Sequence, residues 1–283
     1  MQQQIDQLWD WDNPGDSETR FREAAETAPS EPARAILLTQ VARALGLQGR
    51  WAEALAMLDA LPGGDPELEA RATLERGRVL NSRGDPAAAR PLFEQALARA
   101  EVAGLEHLAV DAVHMLAIVA PPDEQVALNE RAIGMAQAAQ DPRARQWLAS
   151  LYNNLGWSRF EAGDHAEALR LFELALVERQ RRDEPRETGI ARWTVARTLR
   201  AVGRVDEALA AQQQLAADNA AAGVDDPYVD EELGECLLAL GRHDEARPHF
   251  ATAAAGLAGD PWLAEHEPAR IARLRELAGE AEA

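Results

Sequence analysis

Two histidines seven residues apart, His107 and His114, and four arginines, Arg71, Arg78, Arg197 and Arg200, are the side chains best suited to hold a ligand. A guanidinium grips a carboxylate through two parallel N–H donors, so the arginines point to an acidic or carboxylate-bearing partner. Trp157 and Trp193 add large apolar faces beside them. Asn153 and Asn154 adjoin, and Asn81 stands apart. A side-chain amide offers both a donor and an acceptor, as an extended peptide backbone requires. The competing reading is structural: the arginines pair with nearby Glu and Asp, the tryptophans pack between helices, and the amides bond to a loop carbonyl. His107 and His114 lie two turns apart on one helical face, not at the i,i+4 spacing of a metal pair, and read as lining residues.

Catalytic constellations do not emerge. All 29 basic residues are Arg, which removes Schiff-base lysines and the P-loop lysine. Cys236 is the single cysteine, so no internal disulfide or Cys-rich zinc site can form, and a reducing compartment is expected. The stretch "WDWDNPGD" (9–16) lacks the ligand spacing and terminal Glu of a calcium loop. No nucleophile–base pair and no Gly-rich phosphate loop is recognisable, so neither an enzyme nor a cofactor is expected. The net charge of −19 opposes nucleic acid and anionic membranes. The N-terminus has no basic and apolar leader pattern, and the expected location is cytoplasmic.

The elements that position these residues read as helix throughout, because Ala, Leu, Glu and Arg dominate and period-two alternation is scarce. Gly49, Gly84, Gly163, Gly203 and Gly241 recur between helical stretches, each followed by a polar cap and a second helix. Between Gly84 and Gly163, Pro121-Pro122 replaces the glycine turn of one degenerate unit. A second beat of acidic-Pro pairs, Glu31-Pro32, Asp65-Pro66, Asp141-Pro142, Glu184-Pro185, Asp226-Pro227 and Asp260-Pro261, marks helix starts. The expected organisation is one domain over 1–283. It comprises a diverged hairpin at 1–29 (helices 2–10 and 16–28), repeats at 30–259 and a capping helix at 260–283, making about seven hairpins.

These repeats resemble tetratricopeptide repeats. The fullest match is Tyr152, Leu155 and Gly156, then Gly163, Ala168, Phe172 and Ala175, and the last repeat carries Leu233, Gly234, Gly241, Ala246, Phe250 and Ala253 in the same places. Repeats of about 40 residues with "LYNNLG" look like the kinesin-light-chain or bacterial peptide-sensor type. The resemblance implies an all-α, right-handed superhelical solenoid whose first helices line a concave groove holding a peptide segment of a partner. It places Arg71, Arg78, Asn81, His107, Val110, His114, Asn153, Asn154, Trp157, Trp193, Arg197, Arg200, Tyr228, Glu231 and Glu235 along that groove. It also gives Asn154 the role of gripping ligand backbone or carboxylate. The remaining clamp of chaperone-tail receptors is missing, since Val110, His114, Ile190 and Thr194 stand where it would be. The expected function is a non-enzymatic interaction scaffold. The alternatives are self-association through Leu8, Trp9, Trp11 or Trp262, and a sensor module holding a small molecule at His107, His114 and Arg78.

Overall fold

The computed structural model describes residues 2–279, and those residues form helices and connecting turns with no strand among them. Residues 280–283 of the expected cap, and Met1, lie outside the described residues. The chain divides into two compact units, residues 1–151 and 152–283.

The first unit contains α1 (Gln2–Leu8), α2 (Pro14–Glu26), α3 (Glu31–Leu47), α4 (Trp51–Asp59), α5 (Pro66–Ser82), α6 (Pro86–Val102), α7 (Glu106–Val119), α8 (Pro122–Ala138), α9 (Pro142–Arg145) and the first turn of α10 (Leu148–Glu161). Within it α3 packs on α2, α4 and α5, while α7 packs on α6 and α8. Ile5, Phe21, Leu37, Val41, Leu45, Leu58 and Leu68 form a core at its N-terminal end. The second unit holds the rest of α10, then α11 (His165–Arg181), α12 (Pro185–Ala201), α13 (Val205–Ala222), α14 (Pro227–Ala239), α15 (His243–Ala258), α16 (Pro261–His266) and α17 (Pro268–Ala278). There α12 packs on α11 and α13, α14 on α13 and α15, and α17 on α15. Leu209, Leu215, Leu233, Leu237, Phe250, Leu257 and Leu274 fill its core.

Helix starts follow the acidic-Pro beat. Asp65, Asp141, Asp226 and Asp260 accept backbone N–H bonds from Leu68, Arg143, Tyr228 and Trp262, with proline next, where no N–H is needed. Two starts differ. Ser30, not Glu31, caps α3. Glu184 precedes α12 without a cap bond, because Arg179 and Arg182 each hold its carboxylate at 2.7 Å. The expected single C-terminal helix is broken into α16 and α17, where Glu267, the residue before Pro268, leaves helical geometry.

Second helices begin in two ways. After Gly84 and Gly163, Asp85 and Asp164 cap α6 and α11 through their side chains. After Gly49, Gly203 and Gly241 an arginine stands instead. Arg50, Arg204 and Arg242 each fork onto a glutamate three residues later, Glu53, Glu207 and Glu245. That glutamate sits in the first turn, where the helix dipole favours negative charge.

A glycine in the first helix lets the hairpin close. An added Cβ at Gly77, Gly156 or Gly234 falls 2.5, 2.6 or 2.7 Å from the ring of Phe93, Phe172 or Phe250, sixteen positions later. Each of these phenylalanines is buried. Where the second helix carries a different residue, the first need not be glycine. Buried Ala42, Val113 and Ala196 stand in register with Leu58, Asn129 and Gln212. We expect Gly156→Ala to lower unfolding stability by about 1–3 kcal/mol through overpacking. Combined with Phe172→Leu, the loss should be smaller than the two single losses added together. A urea midpoint unchanged by Gly156→Ala would remove close approach as the reason for glycine there.

Candidate functional site

One-repeat spacing places like positions of successive first helices side by side, and charged side chains bridge them. In the first unit, Trp9 and Trp11 stack in parallel with centroids 4.2 Å apart, and the Arg43 guanidinium lies 5.6 and 4.9 Å from their rings. Arg43 faces Glu75 on α5 at 3.8 Å, Glu75 accepts from Arg78 at 2.5 Å, and Arg78 donates to Asp111 on α7. Burial opposes the charge on Arg78, and Asp111 with Glu75 overcomes it, raising its pKa. Arg43 goes the other way, lowered by burial and by the neighbouring Arg78.

A parallel ladder begins at Glu67, which accepts from Arg71 Nε at 3.0 Å. The Arg71 Nη2 lies 3.2 Å from His107 Nε2, and His107 Nδ1 lies 3.3 Å from Asp141. With Arg71 donating to Nε2, the ring proton is assigned to Nδ1, facing Asp141. Burial, then the charges of Arg71 and Arg143, pushes His107 down to about 4. His114, whose ring is 5.0 Å from that of Trp147, is also pushed down to about 4 by burial, against the pull of Asp111. Asp141 is drawn down to about 2 by its hydrogen bond with Arg143.

Arg71 and Arg78 are therefore buried members of internal ion pairs, and His107 is a buried, neutral ring between Arg71 and Asp141. Val110 is buried too. Asn81 lies half-buried in the last turn of α5, its backbone carbonyl accepting from Gly84. Among the described residues, no group of three or more His, Cys, Asp or Glu is placed to hold a metal ion. Among the described residues, no helix is long and apolar enough to cross a membrane.

The second unit brings Trp157, Trp193, Arg197 and Arg200 together. They line a basin of about 530 Å³ with Tyr228, three glutamates of α14, Glu267, and Arg270 and Arg273 of α17. Trp157 packs edge-on against Phe160 and Phe172, and Trp193 Nε1 donates to the Tyr228 carbonyl at 2.9 Å. Both rings are held by packing or hydrogen bonding. Arg197 lies over the Trp193 and Phe160 rings at 5.4 and 5.8 Å.

Charge in the basin is layered. Arg197 Nη1 and Arg200 Nη2 donate to Glu232 Oε1, and Arg200 Nε donates to Glu232 Oε2, all at 2.9 Å. From α17, Arg270 forks onto Glu231 at 3.0 and 2.5 Å, and Arg273 bonds Glu235 at 2.5 Å. Burial opposes the charge on Arg200, and Glu232 more than offsets it, raising the pKa. The hydrogen bond to Glu231 raises Arg270 likewise. The Glu232 side chain is only 1% exposed, whereas those of Arg197 and Arg200 are 31% and 26% exposed. Nearby Cys236 is pushed up to about 12 by burial, so its thiol stays neutral and unreactive.

Asn153 and Asn154 sit half-buried on α10, one turn before Trp157, and the Ser158 hydroxyl donates to the Asn154 carbonyl at 3.2 Å. Sequence reasoning missed Arg43, Asp111, Glu232, Arg270 and Arg273. Opposite charges about one repeat apart, as in Arg78 with Asp111 and Arg197 with Glu232, were the available signal.

Neutral burial of two histidines sets a pH dependence. Between their ordinary value of 6.5 and about 4, the unfolded chain takes up protons that the folded rings refuse, so stability falls with pH across that window. The contribution of Asp141 is lost only at lower pH, as it becomes protonated toward 2. Thermal melts from about pH 7 to about pH 4.5 should show a falling midpoint, and a flatter slope for His107→Gln combined with His114→Gln. Equal slopes in the two proteins would rule out the histidines as the cause.

No curated protein matches the chain significantly. Among solved structures, the apo form of RapI aligns with a TM-score of 0.72 and 9% identity over 98% of this chain and 80% of its own. A kinesin-light-chain-like protein of Podosopora anserina with nearly identical TPR-like repeats aligns at TM-score 0.57 and 22% identity, over 70% of this chain and 98% of its own. A Rap protein complexed with Competence and Sporulation Factor aligns at TM-score 0.55 and 16% identity, over 94% and 81%. At these identities the likeness is one of fold. Sequence profiles described as tetratricopeptide repeat match residues 39–103, 147–218 and 194–261, more than half of the chain. The all-α hairpins, their turn glycines and their packing agree with those profiles, and the chain belongs to the tetratricopeptide repeat family.

Proposed function

We propose that the chain is a non-enzymatic interaction scaffold whose second unit receives a peptide segment of a partner protein in the basin between α12, α14 and α17. One observation carries this reading. The basin of about 530 Å³ combines three aromatic rings with guanidiniums fixed by ion pairs, a concave surface ordered before any ligand arrives. Preorganised side chains reduce the entropy lost on binding, and Trp, Tyr and Arg are the residues that most often dominate interfaces. The Rap protein solved with Competence and Sporulation Factor shares the fold. Asn153, on the face of α10 that carries Trp157 one turn on, and its neighbour Asn154 are proposed to extend the contact toward ligand backbone. Arg71, Arg78, His107 and His114 are assigned to the framework of the first unit, where ion pairs engage the two arginines and burial holds the two histidines neutral.

A second reading, self-association, rests on Trp11 and Trp262, large apolar side chains 55% and 57% exposed. Light scattering that reports a monomer at high concentration would remove it. For the peptide reading, Tyr228→Ala is the informative substitution, because the ring is partly exposed and its backbone bond to Trp193 survives. We expect helicity and melting to stay close to wild type, while partner recovery on the immobilised full chain falls by about tenfold or more, as at an aromatic hot spot. Equal recovery by wild type and variant would exclude the basin as the contact surface.

A further inference from the structure

A fork of two arginines closed on one carboxylate is how proteins capture an acidic ligand group. In the second unit the chain fills that fork itself. Glu232 lies where Arg197 and Arg200 converge and accepts three hydrogen bonds from them, each 2.9 Å long. A ligand carboxylate entering here displaces Glu232 from its counter-ions and leaves it buried and unpaired, a larger cost than a substitute ion pair returns. Glu231 and Glu267 engage Arg270, and Glu235 engages Arg273. The eight charged residues lining the basin, four arginines and four glutamates, sum to zero.

Neutral in total, the basin is not uniform in depth. Glu232, Glu231 and Glu235 lie deeper than the guanidinium groups, with Glu267 alone among the four glutamates at the level of the arginines, so a ligand meets mainly N–H donors without a net field. The Arg197 Nε is buried without a hydrogen-bond partner. Uncharged acceptors, the carbonyls of an extended backbone, fit that surface without competing for the glutamates. The Trp193 and Tyr228 rings, 6.2 Å apart and edge-on, supply an apolar step beside it.

We infer that Glu232 is a built-in counter-ion that closes the Arg197–Arg200 fork to acidic ligands and makes the basin selective for an uncharged, extended peptide segment bearing an aromatic or aliphatic side chain. The inference rests on the basin being a peptide site.

The test uses the full chain and an array of N-acetylated, C-amidated peptides. Their central residue is Trp, Leu or Ser, and their flanks carry carboxylates, ammonium groups or no charge. Wild type is expected to retain uncharged peptides with Trp or Leu at the centre, changing by no more than about twofold between about 50 and about 300 mM NaCl. Glu232→Gln keeps the side-chain shape, leaves the basin with one excess positive charge, and should shift preference toward the carboxylate set by about tenfold or more. Wild-type selection of acidic peptides with steep salt dependence would overturn the counter-ion role while leaving the peptide site standing, and needs no variant to fold. A folded Glu232→Gln protein with unchanged charge preference would overturn it as well. If wild type retains no peptide of any class, or retention is indifferent to Tyr228→Ala, the peptide-site reading itself falls.

Discussion

The contact between a first-helix glycine and the phenylalanine sixteen positions later sets the distance on which the rest depends. At Gly77, Gly156 and Gly234 a single methyl group has no room beside Phe93, Phe172 and Phe250. Helix axes brought this close bury a ring completely, and a chain rich in Ala and poor in aromatics gains much of its core at those points. Where the ring is replaced, the glycine goes too, as at Ala196 with Gln212, so the constraint is the combined volume of the pair.

Fixed hairpins fix what lies on their faces. Successive first helices present corresponding side chains to one another, and opposite charges at those positions close ion pairs across the gap. The ladder from Arg43 through Glu75 and Arg78 to Asp111, and the sandwich of acidic α14 between the arginines of α12 and α17, share this logic. Buried charges of this kind contribute little net stability, because desolvation offsets their attraction, yet breaking one partner is costly. Their effect is to hold rings and guanidiniums in place, as a preorganised surface requires.

The candidate site was half legible. Trp157, Trp193, Arg197 and Arg200 were identifiable from residue type and position in the repeat, and the structure gathers them in one basin. Arg78 and Arg71 satisfied the same criteria and are buried. Composition could not separate the two cases, since both sets sit on first helices at similar spacing. The acidic partner that those arginines pointed to is supplied from within the chain, because each of them meets a glutamate or aspartate from its own or a neighbouring helix.

The sequence by itself determined the all-α class, the recurring turn glycines and the helix starts at acidic-Pro pairs and after those turns. Those depend on local rules: glycine where φ is positive, acid-Pro at an N-terminus, Ala and Leu within. Only the tertiary structure decided which charges neutralise which, because Arg197 and Glu232 are 35 residues apart and meet through helix stacking. It likewise decided that Pro268 splits the last helix while Pro91 and Pro248 remain inside helices. Charge in this protein has meaning only after the helices pack, since burial sets the cost of each carboxylate and distance decides which arginine offsets it.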